Sequence, residues 1–277
     1  MPADDHVHSE WSWDTAVGSM TATCARAIEL GLPSVAFTEH ADFEPLHVPD
    51  GVHLPDEWQH LIADGVLTPP PLDVLRYLAC VQECRERFPG LRILSGVELS
   101  EPHWHRESTD GLLGVGRFDR ILASVHSGVV YDGSARTEIG VLFTQQSPAN
   151  IVRDYLAELL RMVEGYPDFQ VLAHIDYPVR YWPENGPSFD PSDFEAEYRA
   201  VLVALAAAGK VLEVNTRVPL HIEVVRWWRE EGGESITFAS DAHRPEDLAR
   251  GFASAVDVAE AAGFRPGRDP WDLWHRA

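Results

Sequence analysis

Residues 92–100 read RILSGVELS, a short apolar run that carries a carboxylate, Glu98, near its end. A strand buried on both faces of a parallel sheet has this composition. Four more segments repeat the design, each finishing on a polar group. SVAFTEH ends at His40, RILASVH ends at His126, VLAHID carries His174 and Asp176, and VLEVNTR carries Asn215 and Arg217. With the segments that hold His6 and Asp241, near the two ends of the chain, seven strands are expected. Between them lie stretches of helical period with recognisable stops: Ser19 to Gly31, Asp73 to Phe88, Ser147 to Gly165, Ser192 to Gly209, Pro219 to Glu231 and Pro245 to Gly263. Such alternation, with right-handed crossovers, leaves an open doubly wound sheet or a closed barrel. Polar groups from nearly every strand end can converge at a barrel mouth, whereas an open sheet spreads them along a line. The expectation is an α/β barrel with its site at the C-terminal ends of the strands.

The chain has 277 residues, enough for one large core, and no linker, repeat or low-complexity tract divides it, so one domain over residues 1–277 is expected. The least regular segment, His47 to Pro71, reads as a rim or lid insertion or as a plain connector. No run of eighteen apolar residues occurs and the N-terminus is acidic, which points to a soluble, cytoplasmic protein. Three cysteines, Cys24, Cys80 and Cys84, offer no disulfide framework and suit a reducing compartment; small buried apolar residues are their expected role. With 44 acidic against 22 basic residues the formal net charge is −22, which disfavours a long nucleic acid, since that affinity comes from neutralising phosphates.

The chemistry is concentrated in paired ligand types. His6 and His8 lie in DDHVHSEWSWD, and Asp241 and His243 in FASDAHRPED. On a strand, residues i and i+2 point to one face, so each pair can present two ligands to one point. Imidazoles and carboxylates suit zinc, iron or manganese, and the lack of thiolates argues for a catalytic site over a closed structural zinc site. No GxSxG nucleophile motif competes, and GVGRF and GLLGVG do not follow the pattern of a phosphate loop.

Taken in order, HVHSEWSWD, TEH, GVELS, SVHSG, AHID and SDAH, each at a strand end, resemble the polymerase and histidinol phosphatase (PHP) family, and most of all its histidinol-phosphate phosphatase branch. The likeness spans His6 to Asp247. It implies a distorted (β/α)7 TIM-like barrel with two or three divalent metal ions (Zn, Mn or Fe) at the strand ends. Carried over by motif, His6, His8, Glu98 and Asp241 hold the first ion, Asp14, His40 and His243 the second, and His126 and His174 the third, with Glu98 as the bridge. Glu10 competes locally with Asp14. The implied activity is that of a phosphomonoesterase acting on a small phosphate ester, foremost L-histidinol phosphate, through a metal-bridged hydroxide. Other small phosphates, of nucleotides or sugars, are the nearest variants. An amidohydrolase-like metal hydrolase is a second reading, although such enzymes commonly add a carboxylated lysine and Lys210 stands at a strand start. A non-catalytic accessory module is a third.

Clustered cations reverse the chain's acidity locally: charges about 4 Å apart interact by about 4 kcal/mol at an effective dielectric near 20, while diffuse surface charge is screened by salt. Arg180 after AHIDYPV and Arg217 after EVNT follow strands that point at the mouth and resemble the branch's phosphate-binding arginines, and Arg244 beside His243 is a third candidate; surface ion pairs are the alternative. Asp176 is a candidate general acid, or orients a metal ligand from behind. His103 and His105 read as an exposed loop pair, and Trp11, Trp13, Trp104 and Trp182 as an aromatic wall or as packing.

Overall fold

In the computed structural model, which describes residues 1–277 except 16, 131, 132 and 134, seven parallel strands follow one another in chain order. They are β1 (Asp4–Val7), β2 (Ser34–Ala41), β3 (Arg92–Ser100), β4 (Arg120–Ser124), β5 (Val171–Leu172), β6 (Val211–Asn215) and β7 (Ser235–Ala239). Each pairs with its successor, and the ends meet: Val7 bridges Ala242, the Asp241 N–H donates to the His6 carbonyl at 2.9 Å, and the His8 N–H donates to the Ala242 carbonyl at 2.9 Å. The expected barrel is therefore present. Its distortion lies in the narrow seam between β7 and β1 and in the two-residue β5. A short strand, Trp274–Arg276, pairs antiparallel with the start of β7, and Phe264–Arg265 pairs antiparallel with it in turn; neither continues the barrel.

Alternation along each strand sorts its residues. In β3, Val97 and Leu99 join the core beneath the helices, as do Leu212 and Val214 of β6 and Ile236 and Phe238 of β7. The residues between them, Glu98 and Glu213, turn to the histidines of the interior. Gly96 is dictated by crowding: a Cβ there would lie 2.6 Å from Thr38 Cγ2 and 3.0 Å from the Phe37 carbonyl oxygen. Lower in the barrel, Leu122, Val171 and Ala173 close the interior as a small apolar plug.

Seven helices of nine residues or more lie among the described residues: α1 (Met20–Leu30), α2 (Val74–Arg87), α3 (Arg106–Val115), α4 (Pro148–Gly165), α5 (Glu195–Ala207), α6 (Ile222–Glu230) and α7 (Phe252–Ala261). Ser19, Asp73 and Ser147 cap α1, α2 and α4 through side-chain oxygens, and Gly31 ends α1 at φ 70°, where glycine has no Cβ penalty. Three starts differ from expectation. Pro191–Phe194 forms a 3-10 turn before α5, α6 begins after His221, and the Pro245–Asp247 turn leads through left-handed Ala249 and Gly251 before α7 begins. Helix α3 was not foreseen, because Gly111 and Gly114 within it weaken its helical signal. The His47 to Pro71 stretch is built into the mouth: Leu46–His47, Ile62–Ala63 and Val66–Leu67 form a small antiparallel sheet, and Thr137 Oγ1 donates to the His47 carbonyl at 2.7 Å.

The seam has its own clamp in Asp4, which is wholly buried. Its Oδ1 accepts from the Ser240 N–H at 2.9 Å, and its Oδ2 from Ser240 Oγ at 2.6 Å and the Ala249 N–H at 3.0 Å. Buried donors left without an acceptor each cost about 1–3 kcal/mol. Asp4→Ala is therefore expected to destabilise the protein by about 2–4 kcal/mol in urea unfolding, and Asp4→Asn, which retains one acceptor, by less; equal stability of all three proteins would remove the clamp from the account.

Candidate metal centre

The centre is organised by Glu98, buried on β3 and directly opposite His40 of β2 in the sheet register. Its Oε2 lies 3.2 Å from His6 Nε2, 3.5 Å from His8 Nε2 and 3.2 Å from His40 Nδ1. Its Oε1 lies 2.8 Å from His174 Nε2 and 3.2 Å from His126 Nε2. One carboxylate thus divides five imidazoles into two sets, the geometry of a bridging ligand. Asp241 completes the first set, with Oδ1 at 3.5 Å from His8 Nε2 and 4.0 Å from His6 Nε2. A third set forms around Asp14, whose Oδ2 is 2.9 Å from His243 Nε2 and 3.4 Å from His40 Nε2. Glu10 is elsewhere, accepting from the Met20 N–H at 2.5 Å. All nine side chains expected as ligands are brought together.

The second ligand pair is presented differently from expectation. His6 and His8 do follow strand spacing, but β7 ends at Ala239 and Asp241 adopts φ 52°. This left-handed bend, uncommon for a residue with a Cβ, turns Asp241 and His243 inward. His174 likewise stands past the end of β5, where the chain begins to turn. Asp176 consequently does not share its face: it is buried but absent from the wall of the cleft, and burial, only partly offset by Arg180, pushes its carboxyl up to about 7.

A ring of partners behind the ligands fixes which ring nitrogen faces inward. Glu213 Oε2 accepts from His6 Nδ1 at 2.8 Å, while its Oε1 accepts from the His174 N–H at 3.0 Å and from Asn215 Nδ2 at 2.8 Å. Ser12 Oγ accepts from His8 Nδ1 at 2.9 Å and donates to Glu39 Oε2 at 2.6 Å. Glu101 Oε1 accepts the backbone N–H groups of His126 and Ser127 at 2.6 and 2.8 Å. Such outer partners set tautomer and orientation. Sequence reading passed over Glu213, Glu39, Glu101 and Asp42, yet a charged residue inside a buried apolar strand, as in VLEVN, is a signal that a partner waits there.

With Nδ1 of both His6 and His8 donating outward, their Nε2 atoms face each other at 3.0 Å. Two lone pairs at that distance repel unless a proton or a cation lies between them. The electrostatics agree. Against the penalty of burial, Glu213, Glu98 and Asp241 hold His6 well above its usual range, whereas burial together with His40 and His243 holds His8 well below. Burial disfavours the imidazolium at His40 and His126 as well, but carboxylates win: Asp14, Asp42 and Glu98 raise His40 to about 9, and Glu98 and Asp42 raise His126 well above the usual value. Despite burial, the imidazoles hold Glu98 and Asp14 well below the carboxylate range, and Arg180 with His6 does the same for Asp241. Anionic carboxylates interleaved with imidazoles, with His174 Nδ1 and His40 Nδ1 lacking hydrogen-bond partners among the described residues, fit divalent cations well.

Seven of the nine expected ligands line the floor of a cleft of about 570 Å³, and His6 and His8 are buried behind it. Arg180, Arg217 and Arg244 all reach its wall. Arg180 donates to Asp241 Oδ2 and lies over the Tyr177 ring; Arg217, half exposed, approaches His243 Nδ1 at 3.2 Å; Arg244 is exposed at the edge. Of the four tryptophans proposed for the wall, Trp13 is there, whereas Trp11 lies beneath Arg76, Trp104 beneath Arg136, and Trp182 packs on Phe189. Trp58, from the 47–71 segment, lines the cleft unforeseen. His103 and His105 are not an exposed pair: they bond Glu158 at 2.6 Å and Glu44 at 2.8 Å. Lys210 donates to the carbonyls of Pro167 and Phe169, at strand starts remote from the centre, so the carboxylated-lysine reading lacks its residue. Cys24 and Cys84 are buried, and no cysteine joins a metal-holding group among the described residues.

Comparison with known proteins gives a consistent result. The PHP domain family matches residues 4–217. A histidinol-phosphatase from Lactococcus lactis subsp. lactis is 27% identical over 275 residues, covering 94% of this chain and 91% of its own. The crystal structure of histidinol phosphate phosphatase from the same organism, complexed with zinc, L-histidinol and phosphate, matches with a TM-score of 0.78 at 24% identity over 95% of this chain and 94% of that one. A chain from Listeria monocytogenes shares the fold with a TM-score of 0.72 at 18% identity, covering 91% of this chain and 99% of its own.

Because the raised histidines His6, His40 and His126 hold protons that a cation must displace, metal uptake is coupled to pH. Metal-depleted protein is expected to release protons on titration with zinc at pH 7, and its apparent affinity to weaken as pH falls from 9 to 6, as dye-monitored titration in weak buffer would show; uptake without proton release would contradict the assignment. The histidine–carboxylate contacts stabilise the metal-free protein fully below about pH 6.5, and that contribution is lost as pH rises through the His40 value of about 9. Elemental analysis should find that Glu98→Gln costs more bound metal than His174→Ala.

Proposed function

The chain belongs to the PHP domain family, and from that membership we propose that it is a metal-dependent phosphomonoesterase that hydrolyses L-histidinol phosphate to L-histidinol and phosphate. The observation that carries this reading is the carboxylate of Glu98 standing between two sets of imidazoles at the barrel mouth, with arginines on the wall above. His6, His8 and Asp241 would hold one divalent ion, Asp14, His40 and His243 a second, and His126 and His174 a third, with Glu98 shared. Three zinc ions, or a mixture with manganese or iron, suit this donor set. Divalent ions so held supply Lewis acidity toward a phosphoryl oxygen and acidify bound water.

The protein's own groups then orient the ester. Arg217 is available to an anion, being half exposed with only loose contacts, 3.2 Å to His243 Nδ1 and 3.8 Å to Asp241 Oδ1. Its planar fork suits two phosphate oxygens. Arg180, seated on the Tyr177 ring, fixes Asp241 and adds positive charge beside the same place. Arg244 would extend this lip outward. Asp176, off the cleft, serves as a buried neighbour of Arg180 in this scheme, and no proton is routed through it. The free thiols suit a reducing cytoplasm, where we place the reaction; no helix among the described residues is long and apolar enough to cross a membrane.

Phosphate release from L-histidinol phosphate is expected to vanish after chelation with EDTA and to return with zinc or manganese. Arg217→Ala should raise KM about tenfold or more with metal content retained, about the 1.4 kcal/mol of a charge-assisted hydrogen bond. Metal-replete protein that releases no phosphate from a broad panel of monoesters would overturn the proposal.

A further inference from the structure

Behind the loop that joins β1 to α1, the three cysteines of the chain come together where α1 packs on α2. Cys80 and Cys84 stand one turn apart on the same face of α2. Cys84 is buried against α1, its Sγ 3.8 Å from Thr21 Oγ1; Cys24, one turn beyond Thr21, is also buried, with its thiol in hydrogen-bonding contact with that of Cys84. Cys80 is half-buried and lies next to Trp11, whose indole N–H has no hydrogen-bond partner of ordinary geometry among the described residues and is turned to the Cys80 sulfur. Arg76 covers the Trp11 ring at 5.7 Å. Trp11 and Glu10, which also adjoins these thiols, belong to the loop that carries His8 and Asp14.

The three thiols are unequal. Burial, and then the neighbouring Cys84 thiol, push the Cys24 thiol up, so that it stays protonated; burial raises Cys80 as well, but there the Trp11 N–H works against it. Cys80 is also the one of the three that solvent reaches. We propose that Cys24 and Cys84 form a reversible disulfide that cross-links α1 to α2, with Cys80 as the thiol that first takes up the oxidant, a low-molecular-weight disulfide such as oxidised glutathione. Cys80 Sγ gives its proton to water and attacks one sulfur of that disulfide, whose S–S bond breaks and releases the first small thiol. Cys84 Sγ then attacks the Cys80 sulfur and expels the second small thiol, and Cys24 Sγ attacks the Cys84 sulfur, which returns Cys80 to the thiol state. Two protein thiols are oxidised and one small disulfide is reduced to two thiols, with no further reactant. The inference is independent of the phosphatase reading. Its consequence lies in what the helices join: α1 leaves the loop that bears His8 and Asp14, and α2 leads into β3, which bears Glu98. A bond between them constrains the unfolded chain across the first ligand-bearing elements, and so holds that part of the barrel together when metal is lost.

Metal-replete protein is incubated with oxidised glutathione at about pH 8, and the products are mapped by mass spectrometry of peptides cut without reduction, in wild type, Cys80→Ser and Cys24→Ala. Wild type is expected to lose two hydrogens, to release two equivalents of glutathione and to yield the Cys24–Cys84 peptide pair, all reversed by dithiothreitol. Cys80→Ser should give the same pair about tenfold more slowly or worse. The urea midpoint of wild type should rise on oxidation and fall back on reduction, whereas that of Cys24→Ala should not move. Thiols that stay free in the folded protein, a Cys24–Cys84 pair that appears only after unfolding in urea, or a product that ends as a glutathione adduct or a Cys80–Cys84 bond each overturn the cross-link. Cys80→Ser reacting at the wild-type rate overturns the entry role of Cys80, and a urea midpoint that does not move overturns the structural consequence.

Discussion

A buried carboxylate amid five imidazoles is the constraint on which the rest of this structure depends. Removing Glu98 from water is costly unless its charge is met, and at Glu98 it is met by His6, His8 and His40 at one oxygen and by His126 and His174 at the other. Those rings come from four strands or strand ends on either side of β3, so satisfying one residue on β3 requires the sheet to curl around it. Conversely, a barrel without such a polar centre would have to fill its mouth with apolar side chains, as it fills its lower interior with Leu122, Val171 and Ala173. The outer partners make the arrangement specific. Glu213 and the Ser12–Glu39 pair decide which nitrogen of His6 and of His8 is turned inward, and Glu213 also holds the backbone at His174.

How much of this was legible in the chain follows from the range of each signal. The strands were readable because a buried parallel strand needs an apolar run, and β2, β3 and β6 carry one at Val35–Phe37, Ile93–Leu94 and Val211–Leu212. Caps at Ser19, Asp73 and Ser147 are short-range chemistry and were found. The left-handed turn at Asp241 was not, since nothing in ASDAH demands a positive φ until β1 is placed beside it. The same holds for Asp176: spacing set it on the face of His174, but β5 stops at Leu172 and the spacing rule stops with it. Trp58 could not have been assigned to the mouth, because the 47–71 segment is positioned by its pairing with the Thr137 region, a contact ninety residues long in sequence separation.

The electrostatic pattern reconciles an acidic protein with an anionic substrate. The formal charge of −22 is spread over the whole chain and is screened beyond about 8 Å at physiological salt. Within the cleft the balance is local: Arg180, Arg217 and Arg244 stand on one side, and divalent ions at the floor would add to them. The opposing carboxylates are largely committed, Glu138 to Tyr177, Tyr181 and the Gly140 N–H, and Glu44 to His105. The field across the cleft therefore favours a ligand whose negative end faces the arginines.

The seam gives the metal ligands a second consequence. His6 and His8 flank Val7 at the end of β1, and Asp241 and His243 flank Ala242, the residue that Val7 bridges. The two chain ends of the barrel thus meet where the sets containing Asp241 and His243 are built, held by a pair of backbone hydrogen bonds and by the Asp4 clamp. A cation held by His6, His8 and Asp241, as proposed, would tie β1 to β7 across that line, and its binding energy would also be closure energy for the barrel. Carboxylates from different strands that hold the His6 and His40 pKa values up favour a positive ring at the same place when no metal is bound. Folding and metal binding are then not sequential events on a finished scaffold but two ways of neutralising one set of buried carboxylates.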